Sequence, residues 1–440
     1  DWKLMRHILT YITVVLFFPL SVVAQSGSPD KARSGSVYSS IGLGIPVDQI
    51  SSYTEGMGLT GVSMHNPYAV SGSNPALWGV SAYSQGVITM GLESLEMEDN
   101  SGTATGNTVS VDNFQVVFPV IRSRLGVSFG FSPITRSSYN LFQNFTVTPD
   151  LGAGQDPIQV INDVRGAGGV NRMELGIGFR VNNNLAIGYA GSYNFAALTR
   201  NVNVFFDSPR FNPIDYTDKI SGNTFGNRFG VYGRVSDLLR GGDEISIGGS
   251  LRLPLKIGTS RKATSFRNVD GSPKSVEVFD TDDYGPGNIE IPLEFNIGLT
   301  YYPSRFVSFS AEYSEQRWSE ARFSYDSGHE QYFVDRSKMG AGLQIHPYRR
   351  DGIGGFFSNF KYSAGVTLDD GHLMINNQIE TLMFHTGLGL MSPQGASSID
   401  MSFQLGFRGS DTQNIIKETI WGVKLSLNLA EWMFEQSRFQ

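Results

Sequence analysis

Three short stretches spell patterns that carry chemistry in other proteins. Gly56-Met57-Gly58-Leu59-Thr60-Gly61 spells G-x-G-x-x-G, the loop that receives a pyrophosphate on backbone amides when a buried strand precedes it and a helix follows. Met64-His65-Asn66-Pro67 interrupts any such helix within a few residues, so the glycines are read as letting the backbone turn and pack closely. Gly126-Val127-Ser128-Phe129-Gly130 spells the hydrolase elbow G-x-S-x-G. Its serine would have to stand on a strand-to-helix turn, but Leu125, Val127, Phe129 and Phe131 alternate around it as in mid-strand. Asp280-Thr281-Asp282-Asp283-Tyr284-Gly285 opens like a calcium loop but has Ile291 where the closing glutamate belongs, and reads as a solvated loop. The histidines His7, His65, His329, His346, His372 and His385 form no H-E-x-x-H or close pair, and the chain has no cysteine. No enzyme activity, metal or cofactor is expected.

A larger set of ionisable residues shares one face of period-two segments. By parity these are Arg172, Glu174, Arg180, Glu244, Arg252, Glu290, Glu294, Glu312, Lys338, Asp400, Arg408 and Lys424. Pairing within the set, chiefly among Arg172, Glu174, Arg180, Arg252, Glu290, Glu294, Lys338 and Arg408, would tie strands together, while a guanidinium left over could grip a carboxylate through two parallel bonds.

The elements that carry these residues are strands. Met173, Leu175, Ile177 and Phe179 alternate with Arg172, Glu174, Gly176, Gly178 and Arg180. Ile245, Ile247, Leu251 and Leu253 alternate with Glu244, Ser246, Gly248, Ser250 and Arg252. The longest run sets Ile289, Ile291, Leu293, Phe295, Ile297, Leu299 and Tyr301 on one face, against Glu290, Glu294, Asn296 and Thr300 on the other. Many segments exceed the five or six residues of ordinary strands. Short turns at Ile121–Ser123, Val181–Asn184 and Pro303–Arg305 alternate with long polar connections over Glu96–Asn107, Gly152–Val170, Asn201–Phe225 and Ser260–Asn288. Short turns at one end and long loops at the other describe a transmembrane barrel.

The predicted strands are 83–95, 108–119, 124–149 (long and interrupted), 172–181, 185–200, 226–235, 244–257, 289–302, 306–319, 333–346, 358–369, 379–390, 398–409 and 415–429. The fold class is therefore all-β, an antiparallel up-and-down barrel of about 14 strands. Composition agrees, with 51 glycines, 30 phenylalanines and only 17% charged residues in 440. A net charge of -7 offers no basic surface to nucleic acid.

At the N-terminus, Lys3, Arg6 and His7 precede an apolar run from Ile8 to Val23, and Val22-Val23-Ala24 places signal-peptide cleavage after Ala24. Met5 reads as the start, with Asp1 to Leu4 upstream of it. The run of about 16 apolar residues is short for a membrane helix. Ser26 to Ser36 is small and polar, and the stretch from Ser51 to Trp78, rich in turn-forming residues, precedes the first strand.

A signal peptide, a glycine-rich stretch holding Gly56-Met57-Gly58 and Asn74-Pro75-Ala76, and about 14 amphipathic strands together resemble the FadL-like outer-membrane transporters. Ser36-Val37-Tyr38-Ser39-Ser40-Ile41-Gly42-Leu43-Gly44 is similar to the entry of Bacteroidetes members of that group. The resemblance implies that residues 25–81 hold an N-terminal extension and a hatch, gated by Gly56, Met57, Gly58, Gly61, Asn74, Pro75 and Ala76. It implies a barrel over 82–430, a periplasmic tail over 431–440, and both termini periplasmic at the outer membrane. The implied function is passive uptake of small hydrophobic compounds, fatty-acid-like or aromatic, with lateral exit at a kinked strand. Expected partners are outer-membrane lipid, the small hydrophobic ligand and lipopolysaccharide, whose phosphates Glu93, Glu96, Glu98 and Asp99 at the first long loop could bridge through divalent ions. The alternative from the same superfamily is an accessory or plug barrel bound to a type 9 protein secretion translocon.

Overall fold

The computed structural model describes residues 35–99, 102–148, 157–208, 210–269, 272–280, 285–325, 327–347, 356–391, 397–409 and 416–431. The leader, the closing part of the acidic loop at 281–284 and the tail after Glu431 lie outside the described residues.

Fourteen antiparallel staves close a transmembrane barrel. They are β1 (Ser84–Asp99), β2 (Gly102–Ile121), β3 (Leu125–Val147), β4 (Ile158–Arg180), β5 (Leu185–Phe206), β6 (Ile214–Ser236), β7 (Glu244–Arg252 continued by Leu255–Val269) and β8 (Gly287–Ile291 continued by Glu294–Ser304). The rest are β9 (Val307–Gln316), β10 (Arg336–Ile345), β11 (Phe360–Asp369), β12 (Thr381–Met391), β13 (Ser398–Arg408) and β14 (Lys417–Glu431). Closure comes from β1 pairing with β14, from Ser84↔Glu431 to Glu98↔Lys417.

Every one of the expected strands has its stave, but four expected loops are largely strand. β1 runs to Asp99 and β2 restarts at Gly102; β4 begins at Ile158, β5 reaches Phe206 and β6 begins at Ile214. Their Asn, Ser and Thr content looked like loop chemistry, yet ladder bonds hold these polar residues in strand, on both sides in β4, β5 and β6 and to β1 alone at the start of β2. The barrel therefore continues as a tall wall past the apolar belt. That belt is marked on β6 by Phe225, Phe229, Val231 and Val235, all exposed on the outer face. From Phe225 to Val235 the strand rises roughly 25 Å along the membrane normal at the usual tilt.

Above the belt the chain turns over in three staves. In β7 the buried positions are Ser246, Ser250 and Arg252, and past Leu253-Pro254 they become Leu255, Ile257, Thr259 and Ala263. β8 does the same at Pro292-Leu293: Ile289 and Ile291 are buried, whereas Ile297 and Leu299 are exposed to the outside. β3 turns over at a bulge between Pro133 and Thr135. Proline cannot donate a ladder bond, so these are the places where a strand can roll. The expectation of a single uninterrupted face from Ile289 to Tyr301 is thereby corrected. Glu290 goes with it: it faces outward, 40% exposed, and pairs with Lys256 at 2.9 Å.

The inward-turned apolar residues have a purpose. Leu255, Ile257, Ile289 and Ile291 join Trp318, Phe323, Phe333, Leu373 and Ile379 in a core that also takes Tyr38 and Leu43. Trp318 stacks on Phe333 at 5.9 Å, and His372 lies 5.1 Å from the Trp318 ring. Two folded-in connections, 317–335 and 370–380, thus build an apolar cap inside the long-strand end.

Candidate functional site: the filled lumen and the gap beside β3

The chain from Gly35 to Ser81 lies inside the barrel, and its seating explains the glycines of both partners. Met57 is fully buried against Gly342 of β10 and Gly365 of β11. Gly58 ends a 3-10 turn with φ +68, and a Cβ there would fall 2.3 Å from the His385 ring. Pro75 lies against the Gly188 backbone so closely that a Cβ on Gly188 would be 2.2 Å from the Pro75 carbonyl carbon. Asn74 donates to Val62 O at 2.8 Å and Val231 O at 2.9 Å, while its own oxygen accepts from Ala76 N at 3.0 Å. Gly56, Gly61 and Ala76 are buried in the same packing. All the residues expected in a hatch therefore meet the wall.

Polar clamps hold the segment at several heights. Glu312 of β9 accepts from three consecutive amides, Thr60 N at 2.6 Å, Gly61 N at 2.9 Å and Val62 N at 2.9 Å, and from the Thr60 hydroxyl at 2.8 Å. Arg336 grips Asp48 in two-pronged fashion at 2.8 and 2.9 Å and also pairs with Asp369, and Lys338 adds a bond to Asp48 at 2.9 Å. Lys424 bridges Glu55 and Asp112, each at 3.3 Å. Arg228 pairs with Glu174 and donates to the carbonyls of Gly72 at 2.9 Å and Ser73 at 2.6 Å. Near the long-strand end, Glu418 takes the Ser36 hydroxyl at 2.7 Å and Arg408 at 2.9 Å.

Of the expected network, Arg252 pairs with Glu294 at 2.6 Å, and Arg172 donates to Ser132 at 3.0 Å and to Gln49. Lys361 of β11 and Asp400 of β13 pair across β12, over Gly389. Arg180 ends β4 at the short-turn end, half-buried, and Glu244 lies near Arg234 at 3.7 Å. Arg228 and Arg336 were missed, although the same parity rule reaches both, from Gly226 and from Lys338. Asp48 and Glu55 gave no signal, because their segment has no period. Ser128, the serine of the hydrolase-like stretch, is a buried mid-strand residue bonded to Gln115 and Val116, and none of the enzyme-like motifs assembles a reaction site among the described residues.

Space in this packing is uneven. Two voids of about 10 Å³ lie beside Glu312 and beside Arg172, each about one water in size. A cavity of about 190 Å³ opens above the segment, floored by Ser40, Gly42 and Leu43 and walled by β3, β5, β6 and β7.

Beside that cavity the wall parts. The β2–β3 ladder rises from Ile121↔Leu125 and ends at Phe114↔Phe131. Above it β2 stays paired with β1 as far as Asp99↔Gly102, and β3 with β4 as far as Val147↔Ile158. The vacated edge of β3 is taken by the inner segment: Ile45–Pro46 pairs with Arg136 and Thr135, Val47 N donates to Ile134 O at 2.8 Å, and Ser39 exchanges bonds with Ser137 and Ser138. The bulge of β3 between Pro133 and Thr135 lies just past the last β2–β3 pair, Phe114↔Phe131.

Solved structures share the fold at low sequence identity. A FadL homologue of Pseudomonas aeruginosa matches with a TM-score of 0.57 and 12% identity, over 88% of this chain and 99% of that one. The Ralstonia pickettii toluene transporter TbuX matches with 0.53 and 11%, over 87% and 98%, and the Pseudomonas putida toluene transporter TodX with 0.51 and 13%, over 88% and 98%. No curated protein matches the sequence. The BamG family model matches residues 4–440, nearly the whole length, and the chain belongs to the BamG family.

Proposed function

We propose that the chain is a hatch-gated outer-membrane barrel for passive movement of small hydrophobic compounds. The reading rests most on one observation: the segment that floors the 190 Å³ cavity is also the strand that covers the β2–β3 gap. A compound captured in the cavity from the long-strand, extracellular side would displace residues 40–47. It would then leave sideways between β2 and β3 into the bilayer, driven by its own gradient. The hatch proper, Asp48 to Ser81, stays clamped by Glu312, Arg336, Arg228 and Lys424. Residues 1–24 act as the signal peptide, and the short-turn end with Glu431 faces the periplasm. The fold shared with toluene transporters supports an aromatic or fatty-acid-like cargo.

A second reading is favoured by the near-absence of space around the clamped hatch. It is a permanently plugged barrel that serves a protein assembly, such as a secretion translocon, as a bound neighbour. Uptake of radiolabelled toluene in a deletion strain, with and without the restored chain, beside pull-down from detergent extracts, separates the two. Restored uptake supports passage; unchanged uptake with stoichiometric capture of a large membrane complex supports the second reading and defeats the first.

A further inference from the structure

The 190 Å³ cavity has more charge than a site for neutral hydrocarbons needs. Register places Tyr139, Gly166, Arg200 and Asp218 directly opposite one another across β3, β4, β5 and β6. Gly166 leaves the space that the Tyr139 ring fills, since a Cβ there would meet that ring at 2.1 Å. Asp218 does not serve Arg200. Both its oxygens are taken by Arg261 of β7, at 2.9 and 2.8 Å.

Arg261 is itself fixed, lying over Phe279 at 5.1 Å and Tyr325 at 5.8 Å from the ring centres, with Tyr325 anchored to the carbonyls of Thr259 and Gly285. Two guanidinium groups thus border the cavity against one carboxylate, and Arg200 is an exposed guanidinium with no ion pair among the described residues. Around them the lining is mixed: Leu43, Leu198, Ile220, Ile289 and Phe323 give it an apolar side, and Ser40, Ser137 and Thr199 add hydroxyls.

We infer that this cavity binds a ring-sized organic anion, its ring against Leu43, Ile289 and Phe323 and its carboxylate held by Arg200 beside the Arg261–Asp218 pair. The size is right for a single aromatic ring with a short acidic substituent. An ionised carboxylate gains a charge-assisted, two-pronged bond that a neutral ring of the same shape cannot make. The inference rests on the reading of the cavity as the capture site, and it narrows the cargo from hydrophobic compounds in general to aromatic acids.

The test is calorimetric titration of the full detergent-solubilised barrel at neutral pH and low salt, with benzoate and its neutral isostere benzamide as probes. Benzoate should bind about tenfold more tightly, and Arg200→Gln should bring the two within about twofold by lowering benzoate affinity alone. Arg200→Lys should keep part of the preference, and heat-modifiable migration checks that each variant is folded. Equal affinities in the parent, a preference that survives Arg200→Gln, or no binding of either probe would overturn the proposal. Toluene uptake that persists alongside any of these leaves the passage reading standing, so the two failures are told apart.

Discussion

Gly56 of the inner segment and Gly387 of β12 meet backbone to backbone: a Cβ on Gly387 would lie 2.7 Å from the Gly56 Cα and 2.5 Å from the Ser363 hydroxyl. Gly387→Ala is therefore a test of seating. Overpacking at such a contact costs about 1–3 kcal/mol, and because β12 is held by ladders on both sides, the inner segment is the part that yields. Planar-bilayer recordings should show new conductance and the heat-modifiability midpoint should fall. A silent, equally stable variant would mean that this contact does not hold the segment.

Glu312 is a single anchor for three amides. Glu312→Ala leaves the Thr60, Gly61 and Val62 N–H groups without their acceptor, at about 1–3 kcal/mol for each that water cannot reach. Hydrogen exchange followed by mass spectrometry should accelerate at residues 59–63 and leave the β6–β7 peptides unchanged. Equal protection in the variant would contradict the anchor.

The Arg228–Glu174 pair is buried on both sides, with side chains 6% and 5% exposed. Removing one partner strands a charge, at about 3–5 kcal/mol, whereas replacing both with apolar residues of similar volume is often neutral. Arg228→Met should therefore lower the unfolding midpoint sharply, and adding Glu174→Leu should restore most of the loss. Because Arg228 also holds the Gly72 and Ser73 carbonyls, recovery should stop short of the parent.

The cap is expected to weaken in acid. His372, in the connection above the membrane, is pulled down to about 3 by burial, with the nearby Arg336 charge acting in the same direction. The unfolded cap binds a proton near 6.5 and the folded cap does not, so this contribution is complete above 6.5 and lost as pH falls toward 3. At pH 5 the loss is about 2 kcal/mol for this one group. Trp318 fluorescence, 5.1 Å from the imidazole, reports it, and His372→Gln should flatten the pH dependence. A parent emission spectrum that holds steady from pH 7.5 to 4.5 would contradict this.

The wall was legible because alternation is a local signal, and every stave announced itself. The turning-over of β7 and β8 was hidden for a physical reason. Apolar residues stay at odd positions straight through Pro254 and Pro292, so the pattern reads as one face. Inside the membrane that face meets lipid, but above it the outside is water and the inside is the cap core, and the strands roll to follow. Leu255 and Ile291, both buried, sit next to the breaks where this happens. Glu290 was misplaced by the same continuity. The clamps were half legible: Arg172, Lys338 and Arg408 lie on regular strands, while Asp48, Glu55 and Ser36 lie in a segment whose shape is dictated by the wall around it.

If cargo passes between β2 and β3, residues 40–47 must leave the edge of β3. Since the chain has no cysteine, Pro46→Cys with Thr135→Cys makes a unique pair at directly opposed positions. Toluene uptake by cells carrying this double variant should be lost when the pair is oxidised and return on reduction. Uptake that is the same in both states would mean that cargo does not pass through this gap.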